Sequence, residues 1–160
     1  VTTSTTPKKI ILKGDPIYKE RLRSTVSILP GMLLQVETDG SVKPHATAGG
    51  NASAMFAIEQ PIYLGHGIDD AYDTTGAAVE YAFCRPGDEV YALLYAGTGG
   101  DVAIGDELMS DGAGGLKKYV APAVAADVPV IGAPVARALE HIDNDPGVGG
   151  AQVRIKVEVL

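Results

Sequence analysis

The closing stretch Val153-Arg154-Ile155-Lys156-Val157-Glu158-Val159 alternates apolar and polar residues with period two, the signature of a strand with one buried face. Short apolar runs recur along the chain, bounded by Gly, Pro, Asn or Asp. Glu89 to Tyr95 is apolar on both faces and predicts a central strand; Val79 to Arg85 predicts a strand leading into it through Pro86-Gly87. Met55-Phe56-Ala57-Ile58 predicts a buried strand closed by Pro61, and Ile10-Ile11-Leu12 before Gly14-Asp15-Pro16 a short strand and a turn. Val128 to Leu139 has helical composition, yet Pro129, Pro134 and the frequent Val and Ile favour two short strands or one bulged strand. The expected fold class is all-β.

The pattern also repeats. Ile28, Pro30-Gly31, Leu33-Leu34, Thr38-Asp39-Gly40 and Val42-Lys43 are echoed by Ile104, Gly105-Asp106, Leu108, Ser110-Asp111-Gly112 and Leu116-Lys117. Ala57-Ile58-Glu59 is echoed by Ala138-Leu139-Glu140, and the strand opening at Gly87-Asp88 is matched with the one opening at Gly150-Ala151. The Asp-Gly pairs predict type I′ hairpin tips, which need positive φ. The expectation is a small β-barrel or β-tulip-like body, residues 26–160, built from two similar hairpin units, with an inserted Gly- and Asp-rich loop at 62–76.

Charge separates the ends of the chain. Before Ser24 six basic residues face two acidic ones, so that segment is +4 and the remainder carries −11 of a net −7. Residues 1–25 therefore read as an extended arm, Thr-rich over Val1 to Pro7, that docks on something acidic. Nucleic acid is disfavoured as the partner, because the basic run is sparse and the acidic body repels phosphates. No stretch approaches the roughly 18 apolar residues of a membrane span, and the first residues lack the pattern of a secretory signal. The expectation is synthesis in a cytoplasm and no membrane partner.

Candidate chemistry is sparse. His45, His66 and His141 fall in loops or at loop borders without metal-ligand spacing and read as surface histidines; Cys84, between Phe83 and Arg85, reads as a small buried hydrophobe. Asp69, Asp70 and Asp73, or Asp143 and Asp145, offer hard oxygens but lack a full calcium-loop pattern. The Gly-rich turns carry no phosphate-binding signature. The expectation is a non-enzyme without cofactor or metal.

The segments Val102 to Leu108, Ser110-Asp111-Gly112 ending in Leu116-Lys117, Ile131-Gly132 to Glu140, and Val153 to Val159 together resemble the head decoration, or cement, proteins of tailed bacteriophages. The resemblance covers residues 26–160. It implies a virion structural protein on the outer capsid surface that clamps adjacent subunits, with the major capsid protein and its own copies as partners, a homotrimer in preference to a dimer. It also implies a capsid-binding arm, for which Lys8, Lys9, Ile10, Ile11, Leu12, Lys13, Lys19, Arg21 and Arg23 are the candidates. The alternative is a non-enzymatic β module of a phage tail or a glycan-binding domain, with Tyr18, Tyr63, Tyr72 and Tyr119 as the exposed aromatics.

Overall fold

The computed structural model describes residues 6–60, 65–74, 76–97, 100–121, 133–144 and 153–160, and among them regular structure is entirely β. In chain order the strands are β1 (Ile11–Lys13), β2 (Ile17–Leu22), β3 (Leu34–Val36), β4 (Val42–Pro44), β5 (Met55–Ala57) and β6 (Ala78–Phe83). They continue as β7 (Glu89–Leu94), β8 (Asp101–Val102), β9 (Glu107–Ser110), β10 (Leu116–Lys118), β11 (Ala136–Ala138), β12 (Ile142–Asp143) and β13 (Val153–Val159).

The second half closes a five-stranded barrel in the order β7, β10, β9, β11, β13 and back to β7. All pairings are antiparallel except the closing one, where Leu116 of β10 meets Leu94 of β7 in parallel. The first half follows the same scheme. β2 pairs β6, β6 pairs β5, Leu33 bridges Phe56, β3 pairs β4, and Arg23 meets Val42 in a parallel bridge that closes the ring. The hydrogen bonds correspond one by one. Gly31 donates to the Ala57 carbonyl and Ala57 to Met32, as Gly105 donates to Ala138 and Ala138 to Asp106. Ile58 donates to Glu80 as Leu139 does to Lys156, and Ser24 to Val42 as Tyr95 does to Leu116.

The duplicated unit is therefore larger than the hairpins, and the correspondence of its long strands differs from the one expected. β13 is the counterpart of β6, because each pairs with the strand, β11 or β5, that is hydrogen-bonded to the Gly105-Asp106 or Gly31-Met32 turn; β7 is the counterpart of β2. The boundary expected at residue 25 also differs. β2 is a full wall of the first barrel, paired with β6 over its whole length, and β1 is hydrogen-bonded to β7, so residues 10–23 belong to the body. Charge obscured this: the residues of β2 that face the first barrel are Ile17, Lys19 and Arg21, where β7 carries Asp88, Val90 and Ala92.

Side chains explain both barrels. In the second, Val90, Ala92, Leu94, Leu108, Leu116, Ile155 and Val157 are all buried in one cluster. In the first, Leu34, Val42, Val79 and Tyr81 stand at the positions of Leu108, Leu116, Ile155 and Val157, with Ile28 and Met55 buried in the same cluster. Completely burying such a side chain contributes about 1.5–3 kcal/mol against leaving it in water. The turns are tightened by glycine. Gly40 (φ +84°) and Gly112 (φ +86°) take the left-handed conformation, whereas no other residue type among those described does so. The tips are thus not type I′ turns; Asp39 keeps negative φ and its carboxylate instead accepts from the Ser41 N–H and hydroxyl. Those bonds hold the Asp39 carboxyl below its usual value.

The barrels lean on one another through backbone. Leu93 of β7 donates to the Gly31 carbonyl (3.0 Å), Leu33 to Gly114 (2.8 Å) and Gly49 to Ser110 (2.9 Å). A side chain at Gly114 (φ +88°) would place Cβ 2.9 Å from Pro44 Cβ, so the approach requires glycine. Arg154 of β13 donates to the carbonyls of Pro30 and Ile68 and pairs with Asp69 at 2.6 Å, pinning the expected insertion to the second barrel. That insertion lies between Ile58 and Tyr72, where the second unit runs directly from Leu139 to Ile142. Residues 1–5, 61–64, 75, 98–99, 122–132 and 145–152 fall outside the described ones, and with them parts of the arm, strands and turns expected there.

Candidate attachment surface

β2 is the strand most exposed to solvent. Every one of its residues is exposed, on both faces: Ile17 is 44% exposed, Tyr18 58% and Leu22 60%. Local sequence accounts for this. The run Ile-Tyr-Lys-Glu-Arg-Leu places charge on both faces of a period-two strand, so neither face is apolar enough to be drawn into a core. It stays a strand because β6 offers it a ladder of six residue pairs and because β6 is itself held by β5.

One face carries Ile17, Lys19 and Arg21, facing Phe83, Tyr81 and Val79 of β6. Lys19 Nζ lies 5.7 Å from the centre of the Phe83 ring. Arg21 donates from Nε to the Tyr81 hydroxyl (3.1 Å) and from a terminal nitrogen to the Gly40 carbonyl (2.9 Å). Among the described residues no carboxylate comes within ion-pair distance of Lys19, Arg21 or Arg23. The other face carries Tyr18, Glu20 and Leu22. Tyr18, Lys19 and Glu20 border a shallow cleft of about 290 Å³ with Ile58 and Glu80. Partial burial, and after it the Glu59 carboxylate, raise the Tyr18 phenol above its ordinary value, so it remains a hydrogen-bond donor throughout the neutral range.

The nine expected arm residues are dispersed by the fold. Lys8, Lys9, Lys19 and Arg21 are exposed; Lys13 is exposed but meets Glu89 at 3.4 Å, and Ile11 and Leu12 are half-buried. Ile10 is fully buried in the core, its N–H bonded to Glu59, and Arg23 is 5% exposed, donating to the carbonyls of Asp73 and Thr74. Neither of these two side chains is available to a partner, which corrects their assignment to a docking arm. Ile10 is buried because three consecutive apolar residues beside the edge of β7 have a core to enter. Arg23 stands where β7 has Leu94, and it is tolerated there because backbone carbonyls satisfy its guanidinium. Tyr18 is exposed as expected; sequence reasoning missed Ile17, Leu22 and Phe83 as surface groups, and the mixed charges on both faces of β2 were the available signal.

Other candidates take structural places. His45, expected at the surface, is 5% exposed: Nδ1 lies 2.7 Å from Ser110 Oγ and Nε2 3.1 Å from the Asn51 carbonyl. A carbonyl can only accept, so Nε2 carries the proton and Nδ1 accepts from Ser110, tying the two hairpin units together. Tyr72, expected exposed, is 4% exposed and donates to the Ile58 carbonyl; burial raises its phenol and removes it from any sugar-stacking platform. Tyr119 is half-buried, and Tyr63 lies outside the described residues. Cys84 is buried, and that burial pushes its thiol up to about 12, far from a nucleophilic thiolate at neutral pH. His141 donates from Nδ1 to the Val102 carbonyl at 2.9 Å, and His66 lies 3.9 Å from Asp70.

Fold and surface together define a duplicated all-β double barrel with one wall exposed on both faces. No protein-family model matches the chain, and no curated protein matches it.

Proposed function

We propose that this chain is a structural protein of a tailed-phage virion that attaches to the outer surface of the capsid, as a homotrimer, and clamps neighbouring capsid subunits. The reading is carried by one observation: of two barrels with the same pairing scheme, one has a sealed aliphatic interior and the other a wall that leaves apolar and cationic side chains in water. Such a wall costs stability in isolation and is repaid on contact with a partner. The decoration-protein resemblance of residues 26–160 supplies the partner. Its mechanism is buried area and backbone pairing, with the cations of β2 and Lys8 and Lys9 meeting acids on the capsid.

The test is to mix the purified protein with expanded, undecorated phage heads and follow co-sedimentation, with mass by light scattering. Saturable binding at a fixed ratio to capsid subunits is the expected result. Absence of binding, with a monomeric mass, overturns the proposal.

A further inference from the structure

β2 has one hydrogen-bonding edge in use and one open. Arg23 donates to the Ala77 carbonyl in register with the β2–β6 ladder, so alternation turns the N–H and C=O of Ile17, Lys19 and Arg21 toward β6. The backbone groups of Tyr18, Glu20 and Leu22 point the other way, and no hydrogen bond from the described residues meets them. The counterpart strand shows what an occupied edge looks like. On β7 the same edge is covered: β1 lies antiparallel with Ile11 opposite Val90, the Ile10 carbonyl accepts from Tyr91, and the Gly31 carbonyl accepts from Leu93. In the duplication Tyr91 corresponds to Glu20 and Leu93 to Leu22. Among the described residues the first barrel has no counterpart of that covering strand.

We propose that the open edge of β2 accepts an extended segment of another protein, added antiparallel in the place that β1 holds on β7. The segment carries acidic residues at the alternate positions facing Lys19 and Arg21, and apolar ones facing Tyr18 and Leu22. Charge complementarity selects that occupant. The cationic face presents Lys19 and Arg21 without a carboxylate partner among the described residues. A second copy of β2 is a poor fit. In the two registers that overlap five of the six β2 residues, antiparallel self-pairing through the outward groups sets Glu20 against Glu20 with Lys19 against Arg21, or Lys19 against Lys19. Like charges directly opposite destabilise a strand pair. The apolar face of the added strand would lie on Tyr18 and Leu22. This inference deepens the attachment reading and rests on it for the identity of the partner as a capsid segment; the pairing itself is testable without heads.

The probe is a blocked octapeptide of alternating valine and glutamate, with the valine and lysine version as control, added to the full chain while amide hydrogen exchange is read by NMR. The expected result is about tenfold slower exchange at Tyr18, Glu20 and Leu22 with the glutamate peptide only. Glu20→Pro removes one outward N–H and leaves the β6 ladder intact, since proline is tolerated on the open side of an edge strand. It should abolish that protection and weaken head binding about tenfold, with its folded state checked by unchanged exchange in β13. Lys19→Glu should reverse the peptide preference. Equal response to both peptides, or none, overturns the proposal, as does concentration-dependent protection of β2 without peptide, which would make a second copy the occupant. If wild-type protein fails to bind heads while the peptide result holds, the capsid reading falls and the strand-accepting edge stands. If heads are bound equally by wild type and Glu20→Pro, the capsid reading stands and the edge proposal falls.

Discussion

The two barrels share strand order, closing parallel bridge and turn hydrogen bonds, yet one wall differs in chemistry. Val90, Ala92 and Leu94 line the second barrel where Lys19, Arg21 and Arg23 line the first. Backbone pairing is thus satisfied by either set, because ladder hydrogen bonds do not depend on side-chain identity. Sealing is not. Aliphatic side chains close the second barrel and β1 covers its edge, whereas the long cations of the first reach sideways to Tyr81, Gly40, Asp73 and Thr74 and leave Ile17 and Phe83 partly in water. A duplicated unit can keep its architecture while one copy is sealed and the other leaves a wall in water.

The largest effect should come from the shared interior. Leu108→Ala and its counterpart Leu34→Ala each remove a completely buried side chain and should cost about 2–5 kcal/mol in urea unfolding. If Leu34→Ala costs much less, the first barrel is not a packed core and the comparison breaks. Gly114→Ala attacks the seam between the barrels, combining a left-handed backbone with a close approach to Pro44 and Met32. A loss of about 1–3 kcal/mol is expected, and an unchanged midpoint would show that the seam yields.

The charged wall should behave differently. Giving β2 the aliphatic character of β7 with Lys19→Val and Arg21→Ala should change stability by only about 1 kcal/mol, since the hydrogen bonds lost are partly exposed. Head binding should nevertheless fall strongly in co-sedimentation. Retained binding would separate attachment from this wall.

The smallest effect concerns the ion pair between Lys118 and Asp106 at 2.8 Å, for which the first barrel has Pro44 and Met32. Bonds from Lys118 and from the Ala103 N–H hold the Asp106 carboxyl below its usual value. A carboxyl with a depressed folded pKa contributes stability above its unfolded value, lost as pH falls through the folded one. The wild type should therefore lose slightly more stability than Asp106→Asn as pH drops from about 5 to below 3; parallel melting curves over that range would remove the pair's role. Barrel-one variants should leave that difference unchanged.

Much of this was legible along the chain. The all-β class followed from period-two runs and Gly- and Pro-bounded turns, and the equivalence of Gly31 with Gly105, Leu34 with Leu108 and Ala57 with Ala138 followed from repeated spacing, because turns and apolar positions are local properties of a strand pair. The wrong counterpart for β7 followed from matching its opening at Gly87 with the one at Gly150, although glycine openings recur at many strands. The candidate surface was half legible: the basic segment drew attention to Lys19 and Arg21, but it also drew in Ile10 and Arg23, which are buried.

By itself the sequence determined which residues could form strands, where the chain must turn, and that a unit had been duplicated, since each rests on neighbours a few positions apart. Only the tertiary structure decided that β2 replaces an aliphatic wall, that β1 covers β7 and leaves β2 open, and that His45 and Tyr72 are interior. Those outcomes depend on which distant strand lies alongside, and residues 18 and 82, or 11 and 90, carry no local mark of having met.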